Sequence, residues 1–225
     1  MAEFQEQVMG LTGLTIDASS TSPSRAEFTT FLTDGAKEII NILPLKLKQK
    51  CVSATGVGTD FKVDLDGLGE ILYVTRENAD SGFLVPCREI PSMYGGLAFS
   101  GSGHMMYEPS VTDPVYWIDG DTSGAATLYV KPTPTAAQPA KVYHLGYQNV
   151  DASGQDVIPN FPNEAEYLVV LYAAIKVLQN KMNEEEDIEI YGPQLKTLKQ
   201  DYLTGVSALI KKGIAPQGGG RGDSR

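Results

Sequence analysis

The sequence predicts an α+β fold: a helical domain, made of an N-terminal helix and a C-terminal helical pair, with an inserted antiparallel β-sandwich or barrel-like module and a flexible C-terminal tail. Three observations predict it. Apolar residues recur at three- and four-residue steps near both ends of the chain. Between them, short apolar alternations are separated by turn residues. After Gly213 the apolar content is too low to order the chain. The boundaries that follow are 1–44 for the N-terminal arm and helix, 45–158 for the β module, 159–212 for the C-terminal helices and 213–225 for the tail.

Taking the elements in order, the Ser-, Thr- and Gly-rich stretch Thr12 to Pro23 gives way to Ser24-x-x-Glu27, in which each side chain can satisfy the other's free backbone amide. A helix is expected from Arg25. Phe28, Phe31, Leu32, Gly35, Ile39 and Leu43 form its apolar stripe, Asp34, Lys37, Glu38 and Asn41 face away, and Pro44 stops it. From Leu45 the texture changes. Runs such as Glu70–Val74, Val115–Ile118, Thr127–Val130 and Val142–Leu145 read as five to seven antiparallel strands. Turns are expected at Asp66-Gly67, Ser81-Gly82, Gly95-Gly96, Gly101-Ser102-Gly103 and Asp119-Gly120-Asp121, and an extended connection from Pro132 to Pro139.

Asn163 caps the next helix, with Glu164 and Glu166 at its electropositive end. From Tyr167 to Leu178 almost no polar face is left, so this helix has to be covered on most sides. Ile188, Tyr191, Leu195, Leu198, Tyr202, Gly205 and Leu209 then form the seam of a packed pair, with a kink or a fresh helix expected at Gly192-Pro193.

The formal net charge of −10 argues against a protein that grips phosphates through Lys and Arg. An acidic wall instead suits DNA that slides without sticking. The start, Met1 to Glu6, carries acids where a secretory signal needs a basic cluster, so the chain is expected to stay in the cytosol until it is assembled. The apolar run Tyr167–Leu178, interrupted by Lys176, is too short to cross a bilayer. Cys51 and Cys87 lack the spacing of a zinc or redox motif and read as buried thiols.

No catalytic set emerges. His104 and His144 have no carboxylate at a useful spacing, and Phe99–Gly103 lacks the G-x-S-x-G pattern of a nucleophile elbow. Asp113, Asp119 and Asp121 match no calcium loop, Glu184–Asp187 reads as a solvated helix start, and Arg221-Gly222-Asp223 is too short to carry an integrin reading. Phosphate-binding glycine loops are missing from the sequence. The sequence therefore reads as a non-enzyme with no cofactor and no metal.

Val8–Leu14, Gly35–Asn41 and Ile158–Tyr167 together resemble tailed-bacteriophage head-to-tail connector proteins, the adaptor or tail-tube proteins that dock beneath the portal. The resemblance implies a virion protein of the neck or tail that forms a homo-oligomeric ring, commonly of twelve copies. It implies as partners a portal protein, a downstream tail or nozzle protein, and DNA that passes through the channel without sequence-specific contact. In that setting Tyr167, Leu168, Leu171, Tyr172, Ile175 and Leu178 would be covered by neighbouring subunits, and Ile214, Pro216, Arg221 and Arg225 of the tail would enter clefts of the portal. The alternative is a tail-associated binding module in which Tyr94, Tyr107, Tyr116 and Trp117 form a platform for a glycan or a host surface.

Overall fold

The computed structural model describes residues 3–16, 23–78, 82–99, 106–120, 124–151, 155–185 and 188–214. The chain divides into two compact units, one of residues 1–51 with 147–225 and one of residues 52–146. The fold is α+β, with helices in the first unit and two four-stranded sheets in the second.

In the helical unit, α1 (Phe4–Thr12) ends on Gly13, whose φ of 70° closes the helix in the left-handed conformation that glycine adopts freely. Helix α2 (Arg25–Ile42) begins with the expected capping box, the Ser24 hydroxyl accepting from the Glu27 amide while the Glu27 carboxylate accepts from the Ser24 amide. Its buried face includes Phe28, Leu32, Gly35 and Ile39 as expected, and adds Ala36 and Ile40, which widen the stripe. Pro44 ends this helix but does not lead into a strand. It caps a short helix, α3 (Leu45–Lys48), followed by a 3-10 turn at Gln49–Cys51. The β-structure therefore starts at Val52 and not at Leu45, because a proline is well suited to open a helical turn just after closing another.

Helix α4 (Asn163–Glu185) is the core of this unit. Val169, Val170, Leu171, Ala173, Ala174, Val177 and Leu178 are each at most 1% exposed. They are covered by α1, by α2 and by α5 (Ile188–Ile214), which runs unbroken through Pro193. Most of the apolar girth of α4 is thus covered by its own chain, while Tyr167 in its first turns stays exposed. Leu195, Leu198 and Leu209 are buried along α5, as the expected seam requires. Two glycines set the crossings. A Cβ added at Gly35 would stand 2.9 Å from the Tyr172 ring of α4, and one at Gly205 would stand 2.5 Å from Leu168 Cδ2.

The β unit holds β1 (Val52–Val57), β2 (Lys62–Asp64), β3 (Ile71–Glu77), β4 (Leu84–Pro86), β5 (Arg88–Glu89), a 3-10 turn at Ser92–Ala98, β6 (Val115–Gly120), β7 (Ala126–Lys131) and β8 (Ala140–Leu145). The strand orders are β1-β8-β3-β4 and β2-β7-β6-β5. All pairs are antiparallel except β5 with β6, which is parallel and so departs from the expected all-antiparallel module. Val57, Val74, Leu128, Val130, Ala140 and Val142 come from both sheets and share one core, which makes the unit a sandwich. Alternation along β6 and β7 sends Trp117 and Tyr129 to the other face of their sheet, against Ile90, Ala98 and Val115.

Several turns differ from expectation. Gly95-Gly96 lies inside the 3-10 turn, and Asp119-Gly120 ends β6, with positive φ at Gly124 instead. Ser81, Gly101–Gly103 and Asp121 lie outside the described residues. The 132–139 connection is not simply extended: Thr135 and Gln138 pair across a tight turn. Arg76, only 2% exposed, holds it, its guanidinium donating to Pro132 O at 3.0 Å, Thr133 O at 3.4 Å and Gln138 Oε1 at 2.8 Å. Burial lowers the pKa of Arg76, and these neutral oxygens are what satisfy its donors.

The Gly35 crossing yields a direct test. Gly35→Val is expected to lower unfolding stability in urea by about 2 kcal/mol, because the Tyr172 ring is gripped too close to its Cβ to yield. Unchanged stability would show that α2 and α4 do not meet this closely.

Candidate functional site

Two of the groups weighed for chemistry, His144 and Asp113, are engaged in structural bonds. His144 is buried. Its Nδ1 lies 2.9 Å from Leu145 O, and since a carbonyl only accepts, that nitrogen carries the proton. Nε2 is thereby left to accept from the Thr55 hydroxyl at 3.0 Å, a satisfied structural histidine. Asp113 receives Arg88 Nη2 at 2.9 Å, and this bond raises the pKa of the arginine. Among the described residues no group of His, Cys, Asp and Glu could hold a metal ion, and no helix is long and apolar enough to cross a membrane. His104, Ser100–Gly103, Asp121 and Arg221–Asp223 lie outside the described residues, as do the side chains of Glu184–Asp187.

What the helical unit presents instead is surface along the α4–α5 seam. One shallow cleft is lined by Glu164, Tyr167, Leu168, Gly205, Ala208 and Leu209. Another is lined by Tyr172, Ile175, Lys176, Lys199, Tyr202 and Leu203, with Glu38 of α2 at its edge. The Tyr202 hydroxyl donates to Glu38 at 2.8 Å, and burial together with this bond raises the tyrosine pKa. Lys176 Nζ lies 5.3 Å from the centre of the Tyr172 ring, whose own pKa is raised first by burial. Around these clefts Tyr167 is 53% and Leu203 59% exposed, large groups that the described residues leave half uncovered.

Of the six side chains expected at a subunit interface, Leu171 and Leu178 are enclosed by the chain's own helices. Tyr167, Leu168, Tyr172 and Ile175 line the two clefts. Leu203 escaped the sequence reading because it falls one place beside the seam position Tyr202. Of the expected tail contacts, Ile214 closes α5, while Pro216, Arg221 and Arg225 lie outside the described residues.

The β unit carries a second feature. Trp117 stacks on Tyr129 at 5.2 Å between centroids and meets the edge of Phe99 at 6.4 Å. Phe61 reaches both Phe99 and Tyr129 at 6.0 Å, and Lys131 Nζ sits 3.8 Å above its ring. The four residues expected to form a platform, Tyr94, Tyr107, Tyr116 and Trp117, do not lie on one face, although Tyr107 packs against the cluster of Trp117. Tyr94 and Tyr107 stack on each other, Trp117 is buried, and Tyr116, its neighbour along β6, faces the sandwich core and donates to Glu89 at 3.0 Å. Consecutive strand residues point to opposite faces, so Tyr116 and Trp117 cannot share a platform.

The family model described as SU10 adaptor protein matches residues 2–218. The chain belongs to that family. Among curated proteins none matches it. Membership makes the chain a phage adaptor, a structural component of the virion that works through contacts with other head and tail proteins, and it points to a structural role over an enzymatic one. The exposed apolar surface along α4 and α5 is consistent with work of that kind.

The two cysteines fit a structural role. Both are free and buried, and burial pushes the Cys51 thiol up to about 11 and the Cys87 thiol up to about 12. Because both folded values lie above the ordinary 9.0, the preference for the folded state holds below that pH and is lost as pH rises through about 11 and 12. A thiol reagent at mildly alkaline pH is expected to leave both residues unlabelled in the native protein and to modify both after denaturation. Rapid native labelling of either one would contradict this burial.

Proposed function

We propose that the chain assembles into an oligomeric ring that joins the capsid portal to the tail and lines the DNA passage. The observation that carries the reading is the family match across residues 2–218. It is supported by exposed apolar side chains at two clefts along one helical seam. A head-to-tail ring needs different patches on each copy to meet each other, and the exposed Tyr167 and Leu203 lie at separate clefts. The formal charge of −10 suits a passage for a polyanion, since an acidic wall repels phosphates weakly and keeps them mobile. The described part of α5 ends at Ile214, from which the remaining residues to Arg225 would extend toward the portal as a docking tail.

Within this reading the subunit contact runs through Tyr167, Tyr172 and Leu203, with the largely buried Leu168 and Ile175 lining the clefts. Leu171 and Leu178 serve the fold and not the interface. The two roles separate by mutation. Leu203→Asp is expected to leave the subunit folded and reduce the assembled mass in sedimentation to that of one copy. Leu171→Asp places a charge in the core and is expected to cost roughly 3 kcal/mol or more and unfold the subunit. A full-length protein that stays strictly monomeric with purified portal present would overturn the ring.

A further inference from the structure

On the outer face of the β2-β7-β6-β5 sheet lies a cleft of about 260 Å³, lined by Phe61, Ser92, Gly95, Gly96, Phe99, Trp117, Asp119 and Tyr129. Its size suits one small ring. Among the described lining residues four are aromatic, and the others are two glycines, a hydroxyl and a carboxylate. Phe99 is 44% exposed and offers a ring to a ligand, while Asp119 is exposed at the rim.

Three details distinguish this cleft from ordinary packing. First, Trp117 is 5% exposed, yet its indole N–H has no hydrogen-bond partner among the described residues and is not among the fully enclosed unpaired atoms. Trp117 itself lines the cleft. A buried indole N–H normally finds an acceptor. Second, Gly95 packs directly against that indole, where a Cβ would stand 2.6 Å from Trp117 Nε1, while a Cβ at the neighbouring Gly96 would meet nothing within 4 Å and so borders open space. Third, Phe61 is held at φ 57°, a conformation that bulky residues rarely adopt and that collects at ligand clamps. Backbone bonds fix it there, from its amide to Gly58 O at 3.0 Å and from the Val130 amide to its carbonyl at 2.8 Å. Lys131 grips the Phe61 and Phe99 rings at 3.8 and 4.5 Å from their centres without lining the cleft.

We propose that this cleft binds a single pyranose ring of a carbohydrate, stacked on Phe99 and Tyr129, with one hydroxyl accepting from Trp117 Nε1–H and another donating to Asp119. The chemistry favours a sugar over a proline-rich peptide. Both can stack on aromatic rings and accept from the indole, but a prolyl segment has no donor for the carboxylate, whereas each sugar hydroxyl both donates and accepts. The site differs from the aromatic platform that the sequence suggested and shares only Trp117 with it.

The chain has a single tryptophan, so its indole N–H resonance reports on this cleft alone. Full-length protein labelled with nitrogen-15 is titrated with the methyl glycosides of glucose, galactose and N-acetylglucosamine, with sorbitol as an open-chain polyol and with an oligoproline peptide. At least one glycoside is expected to shift the Trp117 resonance saturably while sorbitol does not. Gly96→Leu, which fills open space, should abolish the shift. Asp119→Asn, an exposed change that spares the fold, should weaken binding about tenfold, the worth of one charge-assisted hydrogen bond. No response to any glycoside, or an unweakened response in Asp119→Asn, would overturn the proposal. A saturable response to oligoproline alone would also overturn it and make the cleft a peptide groove.

Discussion

The helical unit depends on one constraint: α4 has almost no polar side, so its neighbours have to enclose it. Each fully buried Val or Leu side chain contributes roughly 1.5–3 kcal/mol when removed from water, and α4 supplies a continuous run of them. The chain meets the constraint with its own α1, α2 and α5. The fit is close enough that Gly35 has no room for a Cβ against Tyr172. Around this helix the other features of the unit fall into place. Leu195, Leu198 and Leu209 complete the seam, and Glu166, buried in the first turn, accepts from the Ile158 amide at 2.9 Å and fixes the approach to the helix.

Because α4 is satisfied within its own subunit, assembly has to draw on what remains outside, the edges of the seam and not its centre. An adaptor built this way can fold first and assemble second. A subunit whose core opened onto its partners would be folded only when bound to them, and its stability would be inseparable from concentration. Separating the core from the contact surface is physically useful for a part that has to be delivered to a growing particle. The β unit follows the same economy, with its core shared by two sheets while an aromatic cleft is left open on an outer face.

Much of the architecture was legible because it is local. The capping box at Ser24 and Glu27, the three- and four-residue recurrence in α2 and α5, and the alternation in β3, β6, β7 and β8 are all written in adjacent residues. The short strands β2, β4 and β5 were not legible, since two or three residues carry no period, and neither was the helical turn after Pro44. The apolar girth of α4 was visible, but its covering was not: a sequence shows that a helix has to be covered, not whether the cover comes from the same chain. Likewise Trp117 stood out as an aromatic, while its partners Phe61, Phe99 and Tyr129 come from three separate segments that only the fold brings together. The left-handed backbone of Phe61 leaves no mark in its residue type.

Hydrogen exchange on the isolated subunit, at dilution low enough to prevent assembly, tests the central claim most directly. If α4 is enclosed by its own chain, its amides from Val169 to Leu178 should be among the slowest in the protein and should exchange only with global unfolding. Fast exchange of these amides in the lone subunit, with protection appearing only on assembly, would contradict the account.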